Sequence, residues 1–307
     1  MASTKVNSPK QSEPSKSWPH YDLYKAVKNA IYSLPSRFES SLLISGVLAT
    51  DLFAFNASLS ATIEEQVVSA LNDLRSVWDP NQKYALYDFE RRPQTFPDVV
   101  LKASSSNISP QIILGIELKG WYVLAKEKEP SFRYKVTPAV CADADLLVVV
   151  PWALSEVVSG TPKVYAPFVI GAKYAAEYKN WYWEHVRTSS NTKVVLSTVK
   201  QNYPTKSDMI SDKPASDSGG NFGRLARTGL LDNYISELFN ERLVGISLAA
   251  WQRFLSIFTE GRSLGEINIE LEKLALSYSQ NKSNYSGAQA EIVHKFQEIV
   301  DMLAGLE

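Results

Sequence analysis

Residues 145–152 read Asp-Leu-Leu-Val-Val-Val-Pro-Trp, an apolar run with no polar alternation after Asp145. A strand of this kind is buried on both faces, so it demands neighbouring strands beside it and a packed layer on either side. Upstream lie three strand-like runs, KYALYDFERR (83–92), FPDVVLKA (96–103) and QIILGIELKGWYVL (111–124). Only Pro93-Gln94 and Ser104–Pro110 separate them, which suits an antiparallel meander. TKVVLSTV (192–199) reads as a second apolar strand, and FVIGAKYAAEYKNWYWEHV (168–186), between the two, as a helix.

Helical periodicity opens the chain. Residues 21–34 and 37–58 read as helices, and Thr62 to Trp78 is the most regular of all. Its Ile63, Val67, Ala70, Leu71, Leu74 and Trp78 recur at three- and four-residue steps. Thr62 and Glu65 have the spacing of a capping box, which predicts a helix start at Thr62, and Asp79-Pro80-Asn81 ends it. No internal repeat is visible. The order of elements gives an α/β fold class, a mixed β-sheet flanked by helices with additional N- and C-terminal helices. Residues 1–18, rich in Ser, Lys and Pro, read as a disordered tail. Residues 19–307 read as one domain with a catalytic core at about 60–200, a long loop at 200–223 and a C-terminal helical part at 224–307.

Composition removes several function classes. With 7 Trp, 15 Tyr and 12 Phe in 307 residues, the chain has ample material for a core. The lone Cys141 excludes an internal disulfide framework and a Cys-based zinc site. It reads as a small buried hydrophobe in a reducing cytosol. His20, His185 and His294 lack metal-ligand spacing, which argues against zinc hydrolases. No secretory signal opens the chain. The apolar stretch 41–59 is interrupted by Asp51 and Asn56 and reads as a buried helix rather than a membrane span. A soluble, cytoplasmic protein is expected. The net charge of −1 hides basic segments at Lys119–Lys135 and Lys173–Lys206 and an acidic tilt from Glu260 to Glu307. Polyanion binding is compatible with that total if the basic segments share a face.

The chemistry concentrates on the second and third strand-like runs. On a strand, residues i and i+2 face the same side, so Glu117 and Lys119 project together while Leu118 points into the core. Asp98, opening the neighbouring run, reaches the same patch. Asp98 and Glu117 are hard oxygen ligands suited to Mg²⁺, and the Leu118 carbonyl can add a third oxygen. Lys119 beside them can orient or help deprotonate a water and offset charge on a phosphorane-like transition state. This arrangement suits metal-assisted phosphodiester hydrolysis. A second Glu-x-Lys, Glu177-Tyr-Lys179, has no Pro-Asp before it and reads as surface. In the preceding helix Glu64 lies beside the Ile63/Val67/Leu71 face and Glu65 nearly opposite. Glu64 is therefore the preferred third carboxylate, beside Asp98 and Glu117.

These residues, Pro97-Asp98 and Glu117-Leu118-Lys119, together with the preceding helix ATIEEQVVSALNDLR, resemble the PD-(D/E)xK nuclease superfamily and, within it, the type II restriction endonucleases. The resemblance covers about residues 40–200 as an order of elements. It implies a restriction-endonuclease-like sheet, Mg²⁺ as cofactor, double-stranded DNA as substrate and a place in a restriction-modification system. Cutting both strands of a palindromic site implies a homodimer by symmetry. A repair or structure-specific nuclease is the alternative, and an inactive DNA-binding or interaction module is a third reading.

Beyond the core, Gly219-Gly220-Asn221-Phe222-Gly223-Arg224 lacks the Gly-Lys-Ser/Thr of a nucleotide loop, so no nucleotide cofactor is expected. Asn221, Arg224 and Arg227 are the candidate DNA-binding residues, on a loop expected to be mobile without DNA. Tyr174, Tyr178, Trp181, Tyr182 and Trp183 suit packing better than a stacking platform. Arg91 and Arg92 either touch phosphates or pair with Glu90 and Asp88.

Overall fold

The computed structural model describes residues 6–46, 49–188, 191–258 and 262–279, with the backbone alone at 49–58, 264 and 275–279. Helices α1 (Tyr21–Tyr32), α2 (Ala49–Asp73) and α3 (Arg75–Trp78) precede a mixed sheet. Strands β1 (Tyr87–Arg91), β2 (Val99–Ala103) and β3 (Ile112–Tyr122) form the antiparallel meander. Strand β4 (Leu146–Leu154) lies parallel to β3, with Ile116 opposite Leu146 and Tyr122 opposite Trp152. Its other edge is shared by β5 (Pro162–Val164) and β6 (Phe168–Gly171), both antiparallel. Every residue of β4 is buried, as an apolar run in the middle of a sheet requires.

Helix α2 covers one face of the meander. Ile63, Val67 and Leu71 are buried along a single stripe, and Leu74, just beyond the helix, is buried as well. Near its end, the Asn72 side chain brackets the outer edge of β1. It accepts the Phe89 amide hydrogen at 2.8 Å and donates to the Phe89 carbonyl at 2.9 Å. These bonds occupy an edge that would otherwise stay open for pairing.

Several elements differ from the sequence-based expectation. Residues 37–46 are largely irregular, and a single helix runs from Ala49 to Asp73. Thr62 and Glu65 therefore sit inside α2 and no capping box forms, because the apolar stretch before them continues the helix instead of interrupting it. The 168–186 segment divides into β6, then α4 (Ala172–Trp181), then a π-helical turn at Tyr182–Val186. Only Val194–Val195 of the 192–199 run is a strand, β7, paired with β8 (Lys213–Pro214) in a ribbon of its own. Val195 and Leu196 stay 56% and 57% exposed. The physical reason is that β5 and β6 already occupy the free edge of β4, leaving no place in the main sheet.

The loop at 200–223 is tied to the body of the protein. Asp212 is fully buried and accepts hydrogen bonds from Lys179 Nζ (3.1 Å), Asn180 Nδ2 (2.9 Å) and the Ser197 amide (2.9 Å). Lys179 is thus a core residue rather than a surface one, and it also donates to the Val136 carbonyl at 2.7 Å. Phe222 is buried against Trp183, and the Tyr134 amide donates to the Gly223 carbonyl at 2.7 Å. Among the described residues, 6–17 have no helix or strand, yet this segment too is fastened. Glu13 accepts from Tyr21, Lys25 and Lys28, and the Val6 carbonyl accepts from Trp181.

The C-terminal part adds α5 (Asp232–Leu238), the short hairpin β9 (Arg242–Leu243) and β10 (Ile246–Ser247), α6 (Leu248–Leu255) and α7 (Leu264–Ser279). The expected helical and acidic stretch beyond Ser279 lies outside the described residues, as does His294. No described helix is long and apolar enough to cross a membrane.

Candidate active site

Strand lengths create the site. Strand β2 begins at Val99, paired with Ile116, so β3 runs on from Glu117 without a partner on its β2 side. Asp98 sits at that corner and Glu117 and Lys119 on the overhang. Two close backbone approaches fix the geometry. At Gly115 a Cβ would lie 2.2 Å from the Pro97 ring, so the absence of a side chain lets Pro97, and with it Asp98, settle on β3. At Gly120 a Cβ would meet Ser60 at 3.0 Å, so α2 packs directly on the overhang and carries Glu64 to it.

Lys119 Nζ lies 2.8 Å from Asp98 Oδ2 and 2.9 Å from Glu117 Oε1, one ammonium bridging two carboxylates. Glu64 Oε1 accepts the Gly120 amide hydrogen at 3.0 Å, on the edge a further strand would have used. By the alternation of a strand, the Leu118 carbonyl opens on that same unpaired edge. Arg91 stands outside, 3.8 Å from Glu64 and 3.9 Å from Glu65. Glu65 is 74% exposed, while the Glu64 side chain is 20% exposed, as their positions on one helical wheel require. Glu90 and Asp88 are engaged by Lys102 and Arg75, so Arg91 turns to the site.

The electrostatics are those of a crowded anionic pocket. Asp98, Glu117, Glu64 and Glu65 stand against Lys119 and Arg91, leaving excess negative charge. Burial raises the Glu117 carboxyl above the usual carboxylate range and Asp98 raises it further, with Lys119 opposing. Burial also raises Glu64, partly offset by the Gly120 hydrogen bond and Lys119. For Lys119 burial acts downward, but Glu117 and Asp98 outweigh it and hold the ammonium firmly protonated. Glu117 Oε2 is buried and has no hydrogen-bond partner among the described residues.

The donor set fits a hard divalent cation. Asp98, Glu117 and the Leu118 carbonyl offer only oxygen, the Glu117 Oε2 atom lacks a partner, and excess negative charge awaits compensation. No group of three His, Cys, Asp or Glu side chains is gathered for a metal among the described residues. Magnesium needs no such cage, since one or two carboxylates suffice when waters and phosphate oxygens complete its shell.

The candidate DNA-binding residues gather elsewhere, in a cleft whose lining shares no residue with the Asp98, Glu117, Lys119 and Glu64 cluster. Arg227 donates to Glu129 at 2.9 Å and to Asn221 Oδ1, while the Arg224 side chain makes no hydrogen bond or ion pair among the described residues. Arg224 precedes a short 3-10 turn, Leu225–Thr228, rather than an α-helix.

Sequence reasoning missed Asp145. Its carboxylate accepts from the amides of Gly115 and Ala142, each at 2.7 Å, and from the Tyr203 hydroxyl at 3.1 Å, tying β3, β4 and the 200–223 loop together. An acidic residue opening a fully apolar strand was the available signal. Cys141 is buried, and burial pushes its thiol well above the ordinary range, which suits a structural residue rather than a nucleophile. Comparison with protein-family models, curated proteins and solved structures returned no match, and the chemistry is therefore read from the site's own geometry.

Proposed function

We propose that the protein is a Mg²⁺-dependent DNA endonuclease with a restriction-endonuclease-like fold. The reading with the best support is a type II restriction enzyme that cuts double-stranded DNA as a homodimer. The observation that carries it is the Asp98–Lys119–Glu117 bridge on the unpaired overhang of β3, with Glu64 beside it. A purely structural ion cluster has no need of excess carboxylates, one of them with a buried oxygen that has no hydrogen-bond partner among the described residues.

Asp98, Glu117 and the Leu118 carbonyl would hold the magnesium ion, which when bound supplies polarisation of a phosphodiester oxygen and acidifies water. Lys119 keeps its proton under the field of both carboxylates. It therefore serves as a fixed positive charge that orients the attacking water and offsets charge on the phosphate. Glu64, locked by the Gly120 amide, shapes the far side of the pocket and adds an acceptor for a water. Pro97 and Gly115 hold Asp98 in place, so little reorganisation is needed as the reaction proceeds.

The test is incubation with unmethylated plasmid DNA and Mg²⁺, followed by sequencing of the ends. Defined cut positions support the restriction enzyme, and nicking confined to branches or lesions moves the assignment to a repair nuclease. Intact DNA under all these conditions would leave an inactive DNA-binding or interaction module.

A further inference from the structure

A second constellation lies in a cleft of about 210 Å³ between the end of α4 and the 221–228 segment. Its wall includes Lys179, Trp183, Arg187, Asn221, Arg224 and Arg227, and no described carboxylate lines it. Two of its cations are already neutralised, Lys179 by Asp212 and Arg227 by Glu129. The other two are not. Arg187 stacks 3.8 Å over the Trp183 ring, and neither Arg187 nor Arg224 has an ion-pair partner among the described residues. Arg187 Nη1 and Arg224 Nε are shut off from solvent and donate to nothing described. Unpaired, partly desolvated guanidinium groups are costly unless an anion meets them.

The charge and size of the cleft select the anion. Its uncompensated cations, Arg187 and Arg224, match a phosphate monoester, which carries about −1.5 to −2 near neutral pH, better than a diester. Guanidinium forks suit phosphate oxygens, and their planar geometry favours paired hydrogen bonds. A space of about 210 Å³ is small beside ordinary ligand pockets and accommodates a phosphate with its attached sugar rather than a duplex. The geometry points to a monophosphate-binding site, in which Arg187 and Arg224 clamp a phosphate monoester while Trp183 and Asn221 hold the first in place and edge the cleft. The monoester comes from a 5′-phosphorylated nucleic-acid end or from a free nucleotide.

The site is independent of the nuclease chemistry, so it is tested on the full chain in EDTA, where cutting plays no part. Calorimetric titration would compare thymidine 5′-monophosphate with thymidine, and a 5′-phosphorylated short oligonucleotide with its unphosphorylated form. The phosphorylated member of at least one pair is expected to bind about tenfold tighter or more, an advantage lost in Arg187→Gln and in Arg224→Gln. Preference confined to the oligonucleotide assigns the site to nucleic-acid ends, and preference shown by the mononucleotide assigns it to free nucleotides. Equal binding within both pairs, or a preference that survives Arg224→Gln, overturns the inference. Arg224 carries the test by itself if loss of the Trp183 stack prevents Arg187→Gln from folding, as thermal melting would show.

Discussion

Glu64 on α2 accepts the amide hydrogen of Gly120 on β3 at 3.0 Å, in the place where a neighbouring strand would have bonded. One carboxylate thus serves as both edge cap and wall of the candidate site. Glutamine keeps the accepting oxygen and removes the charge. Glu64→Gln is expected to lower DNA cleavage by about tenfold or more while leaving the melting temperature almost unchanged. Glu65→Gln, on the exposed side of the same turn, should keep the wild-type rate. Cleavage assays and thermal melts of the two variants check this, and the reverse pattern would assign the role to Glu65.

Lys119 bridges two carboxylates that repel each other without it. Lys119→Ala, Asp98→Ala and Glu117→Ala should each reduce cleavage by about a hundredfold or more. DNA binding should survive in Lys119→Ala, because that change removes chemistry more than phosphate contacts. Chelation with EDTA should abolish cleavage by the wild-type protein and Mn²⁺ should restore it, with Ca²⁺ supporting binding but not turnover. Cleavage and gel-shift measurements across the series decide it, and activity persisting in EDTA would dismiss the metal mechanism.

What the sequence made legible follows from how local each signal is. The β4 run and the Ile63/Val67/Leu71 stripe depend on periodicity alone, and both emerge buried as read. The pairing of Glu117 with Lys119 needs only strand alternation, and Asp98 needs only the short turn between two strands. The start of α2 is not legible because a capping box is a permissive signal. Thr62 can cap a helix, but nothing forces the chain to enter one there. Lys179 looked exposed because its partner Asp212 is far away in sequence and loop-borne, with no local trace of the bond. The placement of 192–199 depended on edge competition at β4, a property of the whole sheet. Asp145 draws its significance from a contact thirty residues away that no spacing rule encodes.

Asp145 also links stability to pH. Burial raises its carboxyl from 3.8 to about 6, against the hydrogen bonds from Ala142, Gly115 and Tyr203 that favour the charged form. Between those two values the folded chain binds the proton and the unfolded chain does not, so this residue's contribution to stability falls as pH rises through the window. The difference amounts to about 3 kcal/mol, fully expressed above the upper value. Asp145→Asn should be less stable overall, since its amide turns a donor toward a backbone N–H. It should also lack this slope. Denaturant unfolding of both proteins from about pH 4 to about pH 7 gives the comparison, and parallel curves would remove Asp145 from the account.

Gly115 is the point at which fold and site are most tightly joined. A methyl group there would lie 2.2 Å from the Pro97 ring and 3.0 Å from Asp145 Oδ1, and neither neighbour is the free end of a flexible side chain. Gly115→Ala is therefore expected to cost about 1–3 kcal/mol through overpacking. It should also displace Asp98 from Lys119, lowering cleavage by about tenfold or more even where the protein remains folded. Gly171→Ala provides the contrast, because its new methyl would find nothing nearer than 3.8 Å. That variant should melt and cut like the wild type. Thermal melts paired with cleavage rates at a temperature well below both transitions separate the two effects. If Gly115→Ala loses stability but cuts at the wild-type rate, the Pro97–Gly115 contact only packs the sheet and does not position Asp98.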